Sequence, residues 1–224
     1  TTPLTPLQLA FHTTETLHEG LTAYGYVRQS ISGPLDTTLL GRAFARLSAR
    51  HPMLRMRITD DGSARPSQYA APAGPLDTAP RWYEIHGHLP PHDLHQLEHD
   101  LCNRPFDLRT EDPIRAVVVH DHDHDDNQDE TRLTHLLLVV HHAAADGYSL
   151  KLMAEELWSL YTALTDDPDA EAAQLPTPTT QFADYAATLA AERQSPAYAR
   201  DLDHWRTHLA AHPPSHSSLH SLPY

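Results

Sequence analysis

Leu136-Leu137-Leu138-Val139-Val140-His141-His142-Ala143-Ala144-Ala145-Asp146-Gly147 is the stretch that decides how this chain is read. The apolar run fits a buried strand, and it delivers two adjacent histidines to the strand's end. A neutral imidazole accepts a proton near pH 7, and a strand end holds it more firmly than a loop tip would. Downstream, Leu150, Met153, Leu157, Tyr161 and Leu164 recur at helical spacing, so Asp146 and Gly147 lie where a turn meets a helix. The pattern predicts strand, tight turn, helix, with a candidate base at the turn. The same residues also have a purely structural reading. Asp146 could cap the helix, Gly147 could serve the turn, and either histidine could be a satisfied core residue.

Working outward, residues 24–32 read as a strand. Gly33-Pro34 then breaks the chain, and Leu35, Leu39, Leu40, Ala43, Phe44 and Leu47 mark an amphipathic helix running to His51. A strand is expected at 54–59, turning at Asp60-Asp61-Gly62 into a hairpin with 67–71. A loop at 72–80 and a weaker strand at 81–85 follow. Residues 91–101 look helical, 114–119 and 133–141 are clear strands, and 151–164 form the helix after the turn. Beyond a Pro- and Thr-rich connector at 175–180 come two more helical regions, 181–193 and 197–211. Residues 213–224 carry no periodicity and read as the start of a linker. Mixed helices and strands throughout predict an α/β fold, an α+β layered sandwich.

Between the two clear strands lies His120-Asp121-His122-Asp123-His124-Asp125-Asp126-Asn127-Gln128-Asp129-Glu130. Imidazole and carboxylate are both competent metal ligands. A run this polar and acidic is expected instead to be a solvated loop holding no metal.

At 224 residues the chain can bury a sizeable core. Sixteen basic against thirty acidic residues give a formal charge of −14 at pH 7. With no basic stripe to offset that charge, nucleic-acid binding is not expected. Nineteen histidines make the balance pH-sensitive: protonating all of them takes the charge from −14 to +5, an acid stress expected as pH falls through about 6. The single cysteine, Cys102, allows no internal disulfide and sits in a helical-looking stretch, more core residue than nucleophile. No run approaches the roughly 18 apolar residues of a membrane span, and no signal segment opens the chain, so a cytoplasmic location without membrane contact is the default expectation.

With these elements in place, the chain resembles the condensation domains of nonribosomal peptide synthetases, and more widely the chloramphenicol acetyltransferase-like acyltransferases. The likeness rests on His141-His142-x-x-x-Asp146-Gly147 as the signature. Thr5-Pro6-Leu7-Gln8 resembles the opening motif, Arg50-His51-Pro52-Met53-Leu54-Arg55 the second and Phe182-Ala183-Asp184-Tyr185-Ala186 the fourth. The segment from Leu202-Asp203-His204-Trp205 to Leu222-Pro223-Tyr224 is similar to the stretch leading from the first lobe of that fold to the second.

The resemblance implies that residues 1–212 are an N-terminal lobe and 213–224 the start of an inter-lobe linker, with no counterpart of the C-terminal lobe. It implies a mixed β-sheet packed with helices, and a reaction joining a carrier-bound acyl or peptidyl thioester to an amine. The partners would be acyl or peptidyl carrier proteins, whose phosphopantetheine carries the substrates, and the second lobe. No cofactor would bind the chain directly. By the same resemblance His142 is the catalytic histidine, His141 and Gly147 shape the turn, and Asp146 is a structural aspartate with Arg55 as its candidate partner. The wording of residues 52–58 is closer to relatives that acylate alcohols, which leaves ester formation as an alternative. A non-catalytic lobe that docks carrier proteins or recruits another enzyme is a second one.

Overall fold

A computed structural model describes residues 1–18, 20–59, 65–120, 133–167 and 175–212. The histidine-rich segment, apart from His120, and the linker at 213–224 lie outside the described residues. In chain order the elements are β1 (Thr2–Pro3), α1 (Pro6–Leu17), β2 (Tyr24–Ser32), α2 (Thr37–Arg50), a 3₁₀ turn (Pro52–Arg55), β3 (Met56–Thr59), β4 (Ser67–Ala70) and β5 (Tyr83–His86). Then come α3 (Pro91–Asn103), β6 (Ile114–His120), β7 (Leu133–His141), α4 (Gly147–Asp166), α5 (Phe182–Glu192) and α6 (Pro196–Ala211).

Four strands form the main sheet in the order β2-β7-β6-β5. β7 runs antiparallel to β2, with Tyr24 opposite His141, and antiparallel to β6, with Ile114 opposite Val140. β5 joins the far side of β6 in parallel. The apolar run 136–140 is therefore hydrogen-bonded on both edges, and its alternate side chains serve two cores. Leu136, Leu138 and Val140 meet Leu40, Phe44 and Leu47 of α2 and Met153, Leu157, Leu160 and Leu164 of α4. Leu137 points to the opposite face, where Val117, Val119 and Leu94 of α3 enclose it. Helices thus cover both faces of the sheet, which is the predicted layered sandwich.

A second sheet, β1-β4-β3, is small and antiparallel. Met56 and Ile58 of β3 pack with Leu108 and Ala143, and Phe11 and Phe106 close the same cluster, so this minor core sits directly against the histidine turn.

Two readings of the sequence shift in detail. The strand expected from residue 54 starts at Met56, because Pro52 opens a 3₁₀ turn that carries Leu54 into the main core. Residues 6–17, of which only the Thr5 to Gln8 motif was read, are a helix. The signal was present: Thr5 accepts a hydrogen bond from the Gln8 amide while the Gln8 side chain reaches back to Thr5, with Pro6 in the first helical turn. A turn and a close contact show where glycine matters. Gly33 leaves β2 with φ +94°, and at Gly41 an added Cβ would lie 2.7 Å from the Ala79 side chain.

Candidate active site

His141 is the last residue of β7 and is completely buried. Both ring nitrogens are engaged. Nδ1 accepts the Ala143 amide at 2.9 Å, so the ring proton sits on Nε2, which lies 2.7 Å from Glu15 Oε1. Two phenyl rings flank the imidazole edge-on, Phe11 at 6.5 Å and Phe106 at 5.6 Å. Behind Phe106 the Arg115 guanidinium stacks at 3.6 Å, and burial pushes that guanidinium down to about 10. A buried ring with no free nitrogen cannot act on a substrate. Its contacts instead tie the turn together, from the Ala143 amide on one nitrogen to Glu15 on the other.

His142 is different. It is half-buried, and its ring stacks on Phe11 with centroids 5.9 Å apart and planes 17° apart. Its Nδ1 lies 3.1 Å from the Ala145 carbonyl, which can only accept, so Nδ1 carries the proton and Nε2 keeps its lone pair. The turn is closed by the Ala144 amide donating to the His141 carbonyl at 2.9 Å.

Asp146 caps α4: its Oδ1 accepts from the Ser149 amide at 2.8 Å and from the Ser149 hydroxyl at 2.6 Å. The hydroxyl and then the amide hold its carboxyl below the usual carboxylate range. The Asp146–Arg55 pair is not formed. Arg55 instead donates to the carbonyls of Ser48, Ala49 and Ala71, so it ties the 3₁₀ turn to the end of α2 and to the exit of β4. Burial lowers its basicity, and Asp112 nearby partly opposes that. The carboxylate was already spent on the helix end, and the guanidinium on backbone carbonyls. Gly147 also departs from expectation. Its φ is not positive and nothing lies within 4 Å of an added Cβ, so no contact in the described residues demands glycine there.

The sequence reading missed the α1 face. Gln8, Phe11 and Glu15 fall on one side of that helix, and all three reach the turn: Gln8 Nε2 donates to the Ala143 carbonyl at 2.9 Å, Phe11 stacks on His142, and Glu15 binds His141. Two broad clefts lie elsewhere. One of about 620 Å³ runs between Leu9 of α1 and Leu189 and Leu202 of α5 and α6, and one of about 560 Å³ lies beside Trp82 and Leu97. Neither is lined by His142, so hydrogen-bond geometry rather than volume singles out the candidate site. Among the described residues, no group of three or more His, Cys, Asp or Glu side chains converges to hold a metal, and no helix is long and apolar enough to cross a membrane.

A sheet clad in helices on both faces, with a histidine pair where its central strand β7 meets the turn into α4, defines a mixed α/β fold. Solved structures agree on that fold. The X-domain from teicoplanin biosynthesis, in complex with OxyB, superposes with a TM-score of 0.75 at 26% identity, covering 93% of this chain and 43% of that one. A single-residue mutant of the starter condensation domain of rhizomide synthetase gives 0.73 at 16% identity, over 94% of this chain and 49% of that one. The profile of the condensation domain matches residues 1–222, and the chain belongs to that family. Among curated relatives, the chondramide synthase of Chondromyces crocatus is 29% identical over 195 residues, which is 81% of this chain and 4% of the synthase. The beauvericin nonribosomal cyclodepsipeptide synthetase of Gibberella fujikuroi is 28% identical over 179 residues, 80% of this chain and 5% of the synthetase. The chain therefore spans less than half of the solved structures and a small part of the curated relatives.

Proposed function

We propose that this chain is the histidine-bearing lobe of a condensation active site, joining a carrier-protein-bound acyl or peptidyl thioester to an acceptor amine. The observation that carries the reading is the placement of His142: Nδ1 is committed to the Ala145 carbonyl in a half-buried ring, so in the neutral imidazole Nε2 is the nitrogen left to accept a proton. In the proposed reaction the amine nitrogen attacks the thioester carbon, the C–N bond forms, and the C–S bond breaks. His142 Nε2 takes the proton that the nitrogen sheds, or holds the amine in place for attack, and the sulfur leaves as the thiol of the carrier's phosphopantetheine arm. The donor and acceptor arms must meet in near-attack geometry with water excluded, which can lower the barrier by several kcal/mol. That enclosure is assigned to a second lobe, so this chain alone is proposed to be inactive.

Two other outcomes have specific support. Likeness to a cyclodepsipeptide synthetase favours an alcohol acceptor and an ester product, a harder deprotonation in which a base matters more. Likeness to an X-domain solved with OxyB favours a docking lobe without chemistry.

The test is His142→Ala in the complete two-lobe enzyme. The expected result is a loss of about 100-fold or more in product formation, the range for removing a general base, with an unchanged melting temperature. Full activity in that variant would favour the docking reading. Amine and alcohol acceptors offered in parallel separate amide from ester formation.

A further inference from the structure

We infer that Glu15 is the positioning residue for His142, acting through His141; the inference rests on the reading of His142 as the reactive imidazole. Glu15 fixes the backbone on both sides of the His142 Cα. On one side, its Oε1 accepts the Ala23 amide at 3.0 Å, and the Ala23 carbonyl in turn accepts the His142 amide at 2.8 Å. On the other, the same oxygen faces His141 Nε2 at 2.7 Å, and His141 Nδ1 accepts the Ala143 amide at 2.9 Å. One carboxylate oxygen therefore sets the register of β2 against β7 and the orientation of the buried ring that holds the turn. Because His141 is fully buried, no solvent can replace Glu15 as acceptor for its Nε2–H. The Glu15 side chain is itself mostly covered, at 19% exposure. Phe11, one turn earlier on α1, forms the floor on which the His142 ring stacks, so the α1 face sets both the height and the tilt of that ring.

Two readouts test this. The first is imidazole ¹⁵N spectroscopy on the 224-residue chain without substrate. His141 is expected as the Nε2–H tautomer and His142 as the Nδ1–H tautomer. Glu15→Ala is expected to release the turn and move His142 toward the Nε2–H form usual for a free imidazole, whereas Glu15→Gln, which keeps an acceptor oxygen, retains both tautomers. If Glu15→Ala does not fold, Glu15→Asp, which withdraws the carboxylate by one methylene, is read in the same way. The second readout is turnover in the two-lobe enzyme. There Glu15→Ala is expected to lower kcat about 100-fold with KM nearly unchanged, and Glu15→Gln to restore most of it. A folded Glu15→Ala protein that keeps the His142 tautomer, or keeps wild-type kcat, overturns the inference. Wild-type turnover that does not depend on His142 overturns the condensation reading instead, and leaves the spectroscopic result standing.

Discussion

Helices α4 and α6 begin alike and end differently. Each opens on a capping side chain, Asp146 accepting from the Ser149 amide and Ser195 from the Tyr198 amide. Each carries apolar residues at helical spacing. α4 buries Met153, Leu157, Leu160 and Leu164 against the sheet and α2, whereas α6 buries none of its residues. Its stripe of Tyr198, Leu202, Trp205 and Leu209 stays 37%, 37%, 58% and 60% exposed. Local signals start a helix, but a facing layer decides whether its apolar side contributes to stability. Substitutions in the two regions should therefore differ by close to an order of magnitude.

The largest effect belongs to the layer that α4 faces. Phe44 on α2 is completely buried, and its ring meets Trp82 at 5.4 Å and Tyr83 at 5.5 Å. Phe44→Ala leaves a ring-sized cavity between helix and sheet and is expected to cost about 4 kcal/mol, read as a fall in melting temperature of roughly 8–16 °C. A loss below about 1 kcal/mol would mean that the layer relaxes around the hole, and the contrast with α6 would weaken.

Next comes the ionic joint between α2 and α4. Glu156 is 8% exposed. It accepts from Arg50 Nε at 2.8 Å and Arg50 Nη2 at 3.1 Å, with His51 Nε2 at 2.5 Å, while Arg50 also binds the Pro176 carbonyl. Burial works to raise the Glu156 carboxyl, but the combined pull of Arg50 and His51 wins and leaves it below its ordinary value of 4.5. A carboxyl depressed by folding adds stability above its unfolded value and loses it as pH falls through the folded one. Melting temperature is therefore expected to drop as pH goes below about 4.5, with Glu156→Gln flattening that part of the curve. Glu156→Ala strands Arg50 half-buried and is expected to cost about 3 kcal/mol at pH 7, read by urea denaturation. An unchanged midpoint would show that water fully replaces the carboxylate.

These two regions also show which features could be read from the sequence. The strand at 133–141 and the helix that follows were legible because an apolar run and a 3.6-residue period act locally, and His142 was singled out as the candidate base from its place between them. Glu15 was not found, because its partner lies 126 residues away and only tertiary packing brings α1 across the end of β7. Phe11 was hidden for the same reason, although the Thr5 to Gln8 capping box announced the helix that carries it. Arg55 was assigned to the wrong partner because charge type alone cannot show that Asp146 is already satisfied by its own helix end. The exposure of α6 was illegible as well: its stripe reads like that of any buried helix, and whether another element covers it is not a property of the stripe.

A smaller effect is expected at the cap of α4. Asp146→Ala removes the acceptor for the Ser149 amide and hydroxyl, at a cost of about 1 kcal/mol rather than the larger loss of a broken ion pair. Asp146→Asn and Asp146→Ser should recover most of it, since either supplies a capping oxygen. A loss of several kcal/mol that only Arg55 substitutions modulate would restore the ion pair that the geometry lacks.

The smallest effect is expected on α6. Trp205 and Leu209 are more than half exposed, and the Trp205 ring touches His204 at 5.7 Å and His208 at 5.9 Å, neighbours on its own helix. Truncating such a side chain removes little buried apolar area, and surface substitutions of this kind stay within about 0.5 kcal/mol. Trp205→Ala and Leu209→Ala are therefore each expected to shift the melting temperature of the 224-residue chain by less than roughly 2 °C, and together, with nearly additive effects, by less than roughly 4 °C. The same pair placed in a chain that carries the proposed second lobe tests whether that lobe covers the stripe. If the second lobe covers it, the cost there rises to the level of core truncations, about 2 kcal/mol or more, while the isolated chain stays unmoved. A large cost already present in the isolated chain at high dilution would mean that α6 packs on this lobe in solution, and the contrast between α4 and α6 would no longer hold.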